Sequence, residues 1–418
     1  MKKGKAFVVG AGLSGLSAAV GLASRGTIVE LIEAAPNAGG RCRSYFDSAV
    51  DQTIDNGNHF VLSGNYATMD YLRTIGAEAQ LVGPDEARTS FVDIRSGERW
   101  TIAPNNSLVP VWLFSPSRRV PKTKPSDYLE LAKLFRAKPT QTLSDVLACE
   151  GELWERLLRP FFLGALNTQP EIASAALAGT LVRETFAKGG LAYRTRVAHP
   201  TLASTFVDPA LAFLSSSGAN VRLGERLRRI VIGSRNVTAL EVQERTIPIS
   251  SDDAVILATP PWSTSELLPG TSVPDAFSGI VNAHFKIPAP PDAPGMLGII
   301  GGTAEWVFSF PDRISVTISG ADRLMDVDRT ELAKTIWSDV QGALSIHKEM
   351  PKWQIVKERR ATFRATPDQV QRRPRAETGI SGLYLAGDWT DTGLPATIEG
   401  AVRSGKRATE LALRYLTR

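Results

Sequence analysis

The 418-residue chain carries 48 Lys and Arg against 43 Asp and Glu, and 43% of its residues are hydrophobic while 22% are charged. This ordinary globular composition disfavours a disordered or fibrous chain, and two cysteines, Cys42 and Cys149, are too few for a disulfide scaffold. The formal net charge of +5 is spread over scattered basic residues, which favours a solvated surface over a nucleic-acid site, and no run approaches the roughly 18 apolar residues of a membrane-spanning helix.

The N-terminal residues predict a dinucleotide-binding unit. Ala6–Val9 is typical of a buried strand, and a G-x-G-x-x-G pattern follows it directly. In that position the glycines make a tight turn and bring backbone N–H groups to a pyrophosphate. Apolar residues at helical spacing then predict a helix that ends at Gly26, and Thr27–Ile32 predicts a second strand. The candidate cofactor contacts in the turn are Gly10, Gly12, Leu13, Ser14 and Gly15.

An acidic residue and a second glycine turn follow the second strand. Glu33, with Ala34 beside it, is placed so that its carboxylate can accept hydrogen bonds from both ribose hydroxyls of an adenosine. Gly39, Gly40 and Arg41 come next, and the arginine can bind a pyrophosphate through two N–H groups. The glycine fingerprint, the Glu and the Gly-Gly-Arg run together resemble the signature of the flavin amine oxidase and phytoene desaturase superfamily. This resemblance implies FAD as the cofactor.

Two segments in the middle of the chain fit the same cofactor domain. Val221–Ile232 predicts a pair of short strands, and the resemblance puts Leu227 or Ile230 near the adenine. Val255–Ala258 predicts a continuous apolar strand that stops at Thr259 and Pro260, where the chain of the superfamily crosses to its second domain. Core packing alone also explains both segments.

The C-terminal segment resembles the second flavin motif of the superfamily. Leu383–Ala386 predicts a short buried strand ending in Gly387 and Asp388, which can bring a backbone N–H and a carboxylate to the ribitol and phosphate. A helix that begins near residue 397 can direct its N-terminal amides at the flavin O2 region. Its candidate contacts are Ala396, Thr397 and Ile398.

The resemblance implies an α/β fold in which a discontinuous Rossmann-type FAD-binding domain carries an inserted α+β substrate domain, as in flavin amine oxidases. The FAD-binding domain is predicted to comprise residues 1–67, 195–261 and 365–418, and the substrate domain residues 68–194 and 262–364. The elements predicted in the substrate domain include helices at Ser126–Ala137 and Gly151–Phe162 and strands at Trp306–Phe310 and Ile314–Ile318.

Three local motifs resemble a narrower family, the hydroxysqualene dehydroxylases of hopanoid biosynthesis. The motifs are Asp55–His59, Ala165–Thr168 with Ala173–Ser174, and Ile280–Phe285. This resemblance implies that hydride from reduced FAD replaces the hydroxyl group of hydroxysqualene to give squalene. It also implies that Gly57, Asn58 and His59 lie beside the flavin. Asn282 stands where flavin amine oxidases usually carry a lysine near the flavin N5, which weakens the amine oxidase interpretation.

The departing hydroxide needs a proton, and His59 is the candidate donor or relay because imidazole titrates near neutral pH. His284 is the reserve candidate, although a lone histidine is more often structural and His59 can instead position the flavin. Three alternatives stay open: a carotenoid or phytoene-type desaturase running in the oxidative direction, an amine oxidase, and a non-catalytic FAD-containing carrier of prenyl lipids.

A long-chain isoprenoid substrate implies an apolar tunnel and a surface that contacts lipid. Phe161–Leu163 or Leu211–Leu214 can line the tunnel. Val109–Phe114, which four basic residues follow between positions 118 and 124, can enter the lipid interface, but interior packing is the favoured interpretation. The expected location is the cytoplasm, with the inner face of the membrane as an alternative.

FAD is expected to bind without a covalent link, because neither cysteine lies near the C-terminal motif. No metal is expected, because the four histidines are isolated from one another and form no close-spaced ligand pair. The electron donor that reduces FAD has no signature in the sequence.

Overall fold

The computed structural model describes residues 4–417. The strands are β1 (Lys5–Val9), β2 (Ile28–Glu33), β3 (Ser44–Asp47), β4 (Gln52–Asp55), β5 (Phe60–Leu62), β6 (Leu81–Val82), β7 (Thr89–Asp93), β8 (Arg99–Ile102), β9 (Thr195–Ala198), β10 (Asn220–Leu223), β11 (Leu227–Ile232), β12 (Val237–Val242), β13 (Arg245–Pro248), β14 (Ala254–Leu257), β15 (Phe277–Phe285), β16 (Met296–Ile300), β17 (Trp306–Ser309), β18 (Ile314–Ile318), β19 (Trp353–Phe363) and β20 (Leu383–Leu385). The α-helices are α1 (Leu13–Ala23), α2 (Tyr66–Thr74), α3 (Arg159–Leu166), α4 (Ala175–Glu184), α5 (Asp208–Ser216), α6 (Pro261–Leu267), α7 (Arg329–Leu344), α8 (Pro367–Gln371) and α9 (Ile398–Leu416).

A parallel sheet joins segments from both ends of the chain in the order β10-β2-β1-β14-β20. β1 and β14 are continuous apolar runs because helices or other layers cover both of their faces. On one face, α1 packs closely against α9, where Ser17 Oγ donates to the Val402 carbonyl at 3.1 Å and Thr409 Oγ1 donates to the Ala18 carbonyl at 3.2 Å. β1, β14 and β20 confirm the strands that the sequence predicts at Ala6–Val9, Val255–Ala258 and Leu383–Ala386.

The prediction that Val221–Ile232 forms two paired strands is wrong. β10 extends the parallel sheet beside β2, whereas β11 begins a separate antiparallel sheet of order β11-β12-β13. The chain turns between them at Gly224, whose φ is +76°, and the Gly224 N–H donates to the Ala35 carbonyl at 2.9 Å. This contact holds the turn against the chain that follows β2, so the two strands cannot pair with each other.

A seven-stranded sheet of order β19-β15-β18-β17-β16-β7-β8 forms the core of the second domain. α7 covers one face, where the ring centroids of Phe285 and Trp337 lie 5.0 Å apart. Because side chains alternate along a strand, β15 and β18 send Asn282 and Thr317 to the opposite face, toward the parallel sheet. The predicted strand Ile314–Ile318 coincides with β18.

Both helices predicted in the substrate domain form, but neither is a regular α-helix. Pro125–Arg136 is a 3₁₀ helix, and the second predicted helix divides into a π turn at Trp154–Leu158 followed by α3. Pro160 lies in the first turn of α3 and lacks a backbone N–H, so the regular hydrogen-bond ladder is interrupted there. None of the helices within residues 4–417 is long and apolar enough to cross a membrane.

The predicted domain boundary after residue 67 falls inside α2. This helix packs on α9, where the Thr68 N–H and hydroxyl donate to the buried Glu399 carboxylate at 2.9 and 2.7 Å. Glu399 also receives a hydrogen bond from Arg403 at 2.7 Å, within α9. We infer that α2 belongs to the cofactor domain and that the first crossover to the substrate domain follows it.

The third glycine of the N-terminal pattern permits close packing of α1. A Cβ atom on Gly15 would lie 1.8 Å from the Gly10 carbonyl oxygen, so Gly15→Ala forces the helix away from β1. We expect this variant to lose about 3 kcal/mol or more of unfolding free energy. Gly342→Ala is the matched control, because its Cβ meets no atom within 4 Å on α7 and should stabilise by about 0.5–1 kcal/mol. Urea unfolding of both variants checks this, and equal stabilities would contradict it.

Candidate active site

A cavity of about 920 Å³ lies between the parallel sheet and the seven-stranded sheet. This volume is at the upper end of the roughly 300–1,000 Å³ typical of ligand pockets. Every cofactor contact predicted from the sequence lines the cavity except Gly15. Gly15 is buried where the first turn of α1 packs on the Gly10 carbonyl, and it does not line the cavity.

The two glycine turns lie side by side at one end of the cavity. Gly12 and Gly39 form a parallel bridge, and the Gly39 N–H donates to the Ala11 carbonyl at 2.8 Å. A Cβ on Gly12 would meet no protein atom within 4 Å and would project into the cavity, in a space suited to a phosphate. Gly12 also caps α1 without any side-chain hydrogen bond, so the amides of the first turn are available to an anion.

Glu33 ends β2 beside these turns. One carboxylate oxygen accepts the Ala11 N–H at 2.6 Å, and the other accepts the Ala35 N–H at 2.8 Å. A carboxylate offers about four acceptor positions, so the two remaining positions can serve ribose hydroxyls in the cavity. The protein therefore fixes the orientation of this side chain before any ligand binds.

Arg41 connects the N-terminal and C-terminal motifs. Its Nη2 lies 2.7 Å from Asp388 Oδ1, and its Nη1 donates to the Ala361 carbonyl at 2.5 Å. The arginine side chain is 43% exposed, and it lines the cavity next to Gly40. The predicted contact of Arg41 with a pyrophosphate stays a prediction, but the ion pair with Asp388 was not foreseen.

Arg373 is a buried residue behind the site that the sequence did not reveal. Its Nη2 donates to the Asp388 and Thr390 carbonyls, and its guanidinium carbon lies 4.9 Å from the ring centroid of Phe363. Burial lowers the pKa of Arg373 to about 10 against the opposing effect of nearby carboxylates. Arg373 thus positions the loop that carries Asp388. Arg373 lies in a short run of basic residues. Such a run is typical of a solvent-exposed surface, so the sequence does not indicate that Arg373 is buried.

Asn282 holds the Asp55–His59 loop in place. Its Nδ2 donates to the Asn56 carbonyl at 3.3 Å, while its Oδ1 accepts the Asn58 N–H at 3.4 Å and the Thr317 hydroxyl at 2.8 Å. Asn282 is buried and lines the cavity. The residue at the predicted lysine position is therefore a structural link between the loop and the seven-stranded sheet.

The Ala165–Thr168 motif also reaches the cavity. Asn167 ends α3 in a left-handed conformation with a φ of +47°. Its side chain donates to the Ser278 carbonyl at 3.2 Å and the Thr362 hydroxyl at 2.9 Å, and accepts the Gly320 N–H at 2.6 Å. Asn167 therefore joins α3 to β15 and β19, and all three narrower motifs have residues in contact with one site or its wall.

The structure brings His59 to the cavity and leaves His284 outside it. Burial and the cation of Arg41 lower the pKa of His59 to about 4 against the opposing effect of Asp388, so its imidazole is neutral at pH 7. His284 lies farther along β15 than Asn282, is 1% exposed, and has its Nδ1 2.9 Å from Ser315 Oγ. Because the Asp55–His59 loop covers that part of the strand, the reserve role predicted for His284 is not supported.

Aromatic side chains also line the cavity, and we call the space that they enclose the aromatic chamber. The residues of this chamber are Phe60, Phe161, Tyr193, Trp262, Phe277, Trp306, Phe308 and Phe363. Trp389 lines the cavity beside the flavin motif, where its Nε1 donates to the Thr259 carbonyl at 3.0 Å. Of the segments predicted to line a tunnel, Phe161 contributes, but Phe162 and Leu163 turn into the core. Leu211–Leu214 lies on α5, which packs against α1 in the cofactor domain, so that prediction is wrong.

Glu305 is a half-buried acidic residue next to the chamber wall. Burial raises its pKa to about 7, against the opposing hydrogen bond from the Ser319 N–H at 2.7 Å and nearby arginines. Ser319 itself lines the cavity, as does the neighbouring Trp306. Glu305 directly precedes β17, and nothing in the sequence around it predicts that its pKa is raised.

Sequence comparison defines the class of the protein. The profile of the family described as "Flavin containing amine oxidoreductase" matches residues 13–413. The chain therefore belongs to this family, and its cofactor is a flavin. The glycine turns, the Glu33 carboxylate and the open space at Gly12 fit the dinucleotide part of such a cofactor.

Three curated relatives narrow the class. A Sinorhizobium fredii protein named hydroxysqualene dehydroxylase is 50% identical over 406 residues, which cover 97% of each chain. Proteins of the same name from Rhodopseudomonas palustris and Zymomonas mobilis are 49% and 45% identical, over 97% and 98% of this chain and 97% and 99% of their own. Within its family, the chain belongs to the hydroxysqualene dehydroxylases.

Solved structures share the fold. Cyclohexylamine oxidase from Brevibacterium oxydans superposes with a TM-score of 0.70 at 16% identity, with each chain fully covered. A putrescine oxidase bound to putrescine gives a TM-score of 0.70 at 17% identity over 98% of this chain and 99% of the other. The predicted α/β fold of the flavin amine oxidase type is confirmed.

The Arg41–Asp388 pair should determine how tightly FAD is held. We expect Arg41→Ala to weaken FAD binding by about 10- to 100-fold, since a charged hydrogen bond contributes about 1.5–3 kcal/mol. Arg229→Ala is the control, because Arg229 forms an ion pair with Glu241 on the surface, where its side chain is 66% exposed. Flavin fluorescence titration of the apoprotein measures both affinities. Equal affinities for the two variants would show that the pair has no such role.

Proposed function

We propose that this protein uses reduced FAD to remove the hydroxyl group of hydroxysqualene, giving squalene for hopanoid biosynthesis. The observation that carries the proposal is that one cavity contains both the cofactor motifs and the aromatic chamber. A long polyene in the chamber would thus share an enclosed space with the flavin. The names of the three relatives support this substrate.

In the proposed reaction the allylic C–O bond breaks, the hydroxide leaves as water with one proton, and the same carbon system gains a hydride. The substrate is thereby reduced by two electrons. Reduced FAD, when bound, supplies the hydride and becomes oxidised. The glycine turns would hold its pyrophosphate, Glu33 its ribose and Asp388 its ribitol, while the N-terminal amides of α9 would face the flavin.

The aromatic chamber suits the cation that forms when an allylic hydroxyl departs. Aromatic faces attract cations through their quadrupole, and the rings of Trp306 and Phe60 lie 6.4 Å apart in the wall. No lysine is among the described residues that line the cavity. These features favour the dehydroxylase over an amine oxidase.

His59 is proposed to relay the proton that the leaving hydroxide requires. Because its imidazole is neutral at pH 7, His59 serves as a hydrogen-bonding relay and not as a stored proton. It lies at the boundary between the cofactor motifs and the chamber, beside Arg41 and the Asn58 backbone.

FAD is proposed to bind without a covalent bond. Cys42 lines the cavity, but burial raises the pKa of its thiol to about 12, so the reactive thiolate is not formed at neutral pH. The pKa of Cys149 is raised to about 11, chiefly by burial, and this residue does not line the cavity. Acid precipitation should therefore release the flavin into the supernatant.

We propose that the protein works in the cytoplasm, in peripheral contact with the inner face of the membrane that supplies its isoprenoid substrate. An electron donor must reduce FAD between turnovers. The wide aromatic chamber supports a large apolar substrate, which has little solubility in water.

An anaerobic single-turnover experiment tests the reaction and its direction. The flavin of the purified protein is reduced with dithionite, hydroxysqualene is added in detergent, and flavin absorbance is followed while lipids are analysed by mass spectrometry. We expect squalene to form in step with flavin oxidation. Recovery of unchanged alcohol with reduced flavin would refute the proposal. Oxidised enzyme that dehydrogenates a polyene would instead establish the desaturase alternative.

His59→Ala tests the proton relay. The expected result is a loss of about 10²- to 10⁴-fold in the rate of flavin oxidation by hydroxysqualene, with unchanged FAD content. His347→Ala is the control, because His347 is exposed on the far side of the second domain. If the rate is retained in His59→Ala, the residue has no part in proton transfer; if FAD is lost instead, its role is to position the flavin.

A further inference from the structure

The segment 104–124 exposes a group of large apolar side chains. Leu108, Val109, Val111 and Phe114 are 72%, 65%, 54% and 75% exposed, respectively. Such a contiguous apolar surface is unusual on a soluble protein and marks an interaction site. We call these four residues the apolar turn. The sequence interpretation that this segment packs in the interior holds for two of its members, Trp112 and Leu113, which are 5% and 9% exposed.

The apolar turn is held in a fixed conformation. Asn105 Oδ1 accepts the Trp112 N–H at 3.0 Å, and Asn105 Nδ2 donates to the Val109 carbonyl at 2.9 Å. The Trp112 ring packs against Tyr128 with centroids 5.6 Å apart. The exposed side chains are therefore presented by a preformed turn, and their exposure does not come from a loose loop.

Basic residues accompany the apolar turn. The segment 104–124 contains Arg118, Arg119, Lys122 and Lys124 but no Asp or Glu. Arg119 links the two parts, because its Nη1 donates to the Leu113 carbonyl at 2.7 Å and its Nε to the Thr123 carbonyl at 3.0 Å. Lys122 and Lys124 are exposed. This arrangement puts positive charge beside an apolar surface.

The same segment borders the aromatic chamber. The Asn105 carbonyl accepts the Gly190 N–H at 2.8 Å, and a Cβ on Gly189 would lie 2.5 Å from the Ser107 carbonyl oxygen. Three residues farther along the chain from Gly190, Tyr193 lines the chamber, and Leu191 between them is 55% exposed. The residues that lead into the apolar turn are thus packed directly on the segment that forms one wall of the chamber.

We propose that the apolar turn inserts into the interface of an anionic phospholipid bilayer and that the neighbouring lysines bind its head groups. Apolar side chains beside basic residues are the combination that such an interface binds. A second copy of the chain fits this surface less well. In a symmetric contact, the four basic residues of one copy would face the same four residues of the other. The inference deepens the proposed function, since lipid contact would open the chamber wall to a membrane-dissolved substrate.

Vesicle flotation of the full-length FAD-loaded protein tests the inference. Vesicles of 70% phosphatidylcholine and 30% phosphatidylglycerol are compared with pure phosphatidylcholine vesicles. We expect the anionic vesicles to bind the protein, and the double variant Leu108→Ser with Phe114→Ser to bind at least about tenfold less, because two large apolar side chains no longer insert. Phe46→Ser is the control, since Phe46 is 65% exposed on β3.

The charge contribution is tested separately. Lys122→Gln with Lys124→Gln should weaken binding to anionic vesicles by roughly fivefold per lysine at low salt. Lys334→Gln on the exposed side of α7 is the matched control. Binding that is equal for wild type and both double variants, or absent for wild type, would overturn the inference. Self-association that the apolar variant abolishes, without vesicle binding, would assign the surface to a second copy instead.

Turnover with hydroxysqualene in detergent micelles distinguishes the two proposals. The apolar variant should keep its rate in micelles and lose rate only with substrate supplied in vesicles, because the substituted residues lie outside the cavity. Failure of turnover in wild type would refute the proposed function while leaving the vesicle-binding result to decide the docking surface.

Discussion

The ion pair between Arg41 and Asp388 joins residues that are 347 positions apart in the chain, and the cofactor end of the cavity is organised around it. As an isolated, partly exposed pair it would contribute little stability. Its effect is geometric, because it fixes the Gly-Gly-Arg turn against the C-terminal flavin motif. Arg373 supports the same motif from behind through the Asp388 and Thr390 carbonyls. Arg41 thus faces the cavity, and Arg373 supports the cavity wall.

The cavity changes character along its length, and this change explains the chemistry proposed for it. Near the glycine turns, hydrogen-bonding groups and helix N-termini suit a charged dinucleotide. Aromatic faces line much of the rest of the cavity, where the guanidinium of Arg360 lies over the Trp262 ring at 4.9 Å. His59 lies at the boundary, where burial keeps its imidazole neutral. Asn282 sets the position of that boundary by holding the loop to the seven-stranded sheet.

The candidate cofactor residues of the glycine turns and Glu33 line the cavity, apart from Gly15, because their positions depend on local geometry. A strand, a glycine turn and a helix follow one another along the chain, so Gly12 and Glu33 could be located by spacing alone. The aromatic chamber could not be predicted in this way, since Phe161 and Phe162 are neighbours of the same type and only tertiary packing separates their roles. The prediction that β10 pairs with β11 was wrong for a similar reason. A single turn at Gly224 decides which sheet this short strand joins.

The position of β20 at the edge of the parallel sheet has a consequence for the order of folding. β20 pairs only with β14 in that sheet, and the loop and helix that follow it supply Asp388 and the amides of α9. β1, β2 and their glycine turns are synthesised more than three hundred residues before β20. The nascent chain therefore reaches a complete flavin site late, and closure of that site depends on a long-range strand pairing of the kind that folds slowly.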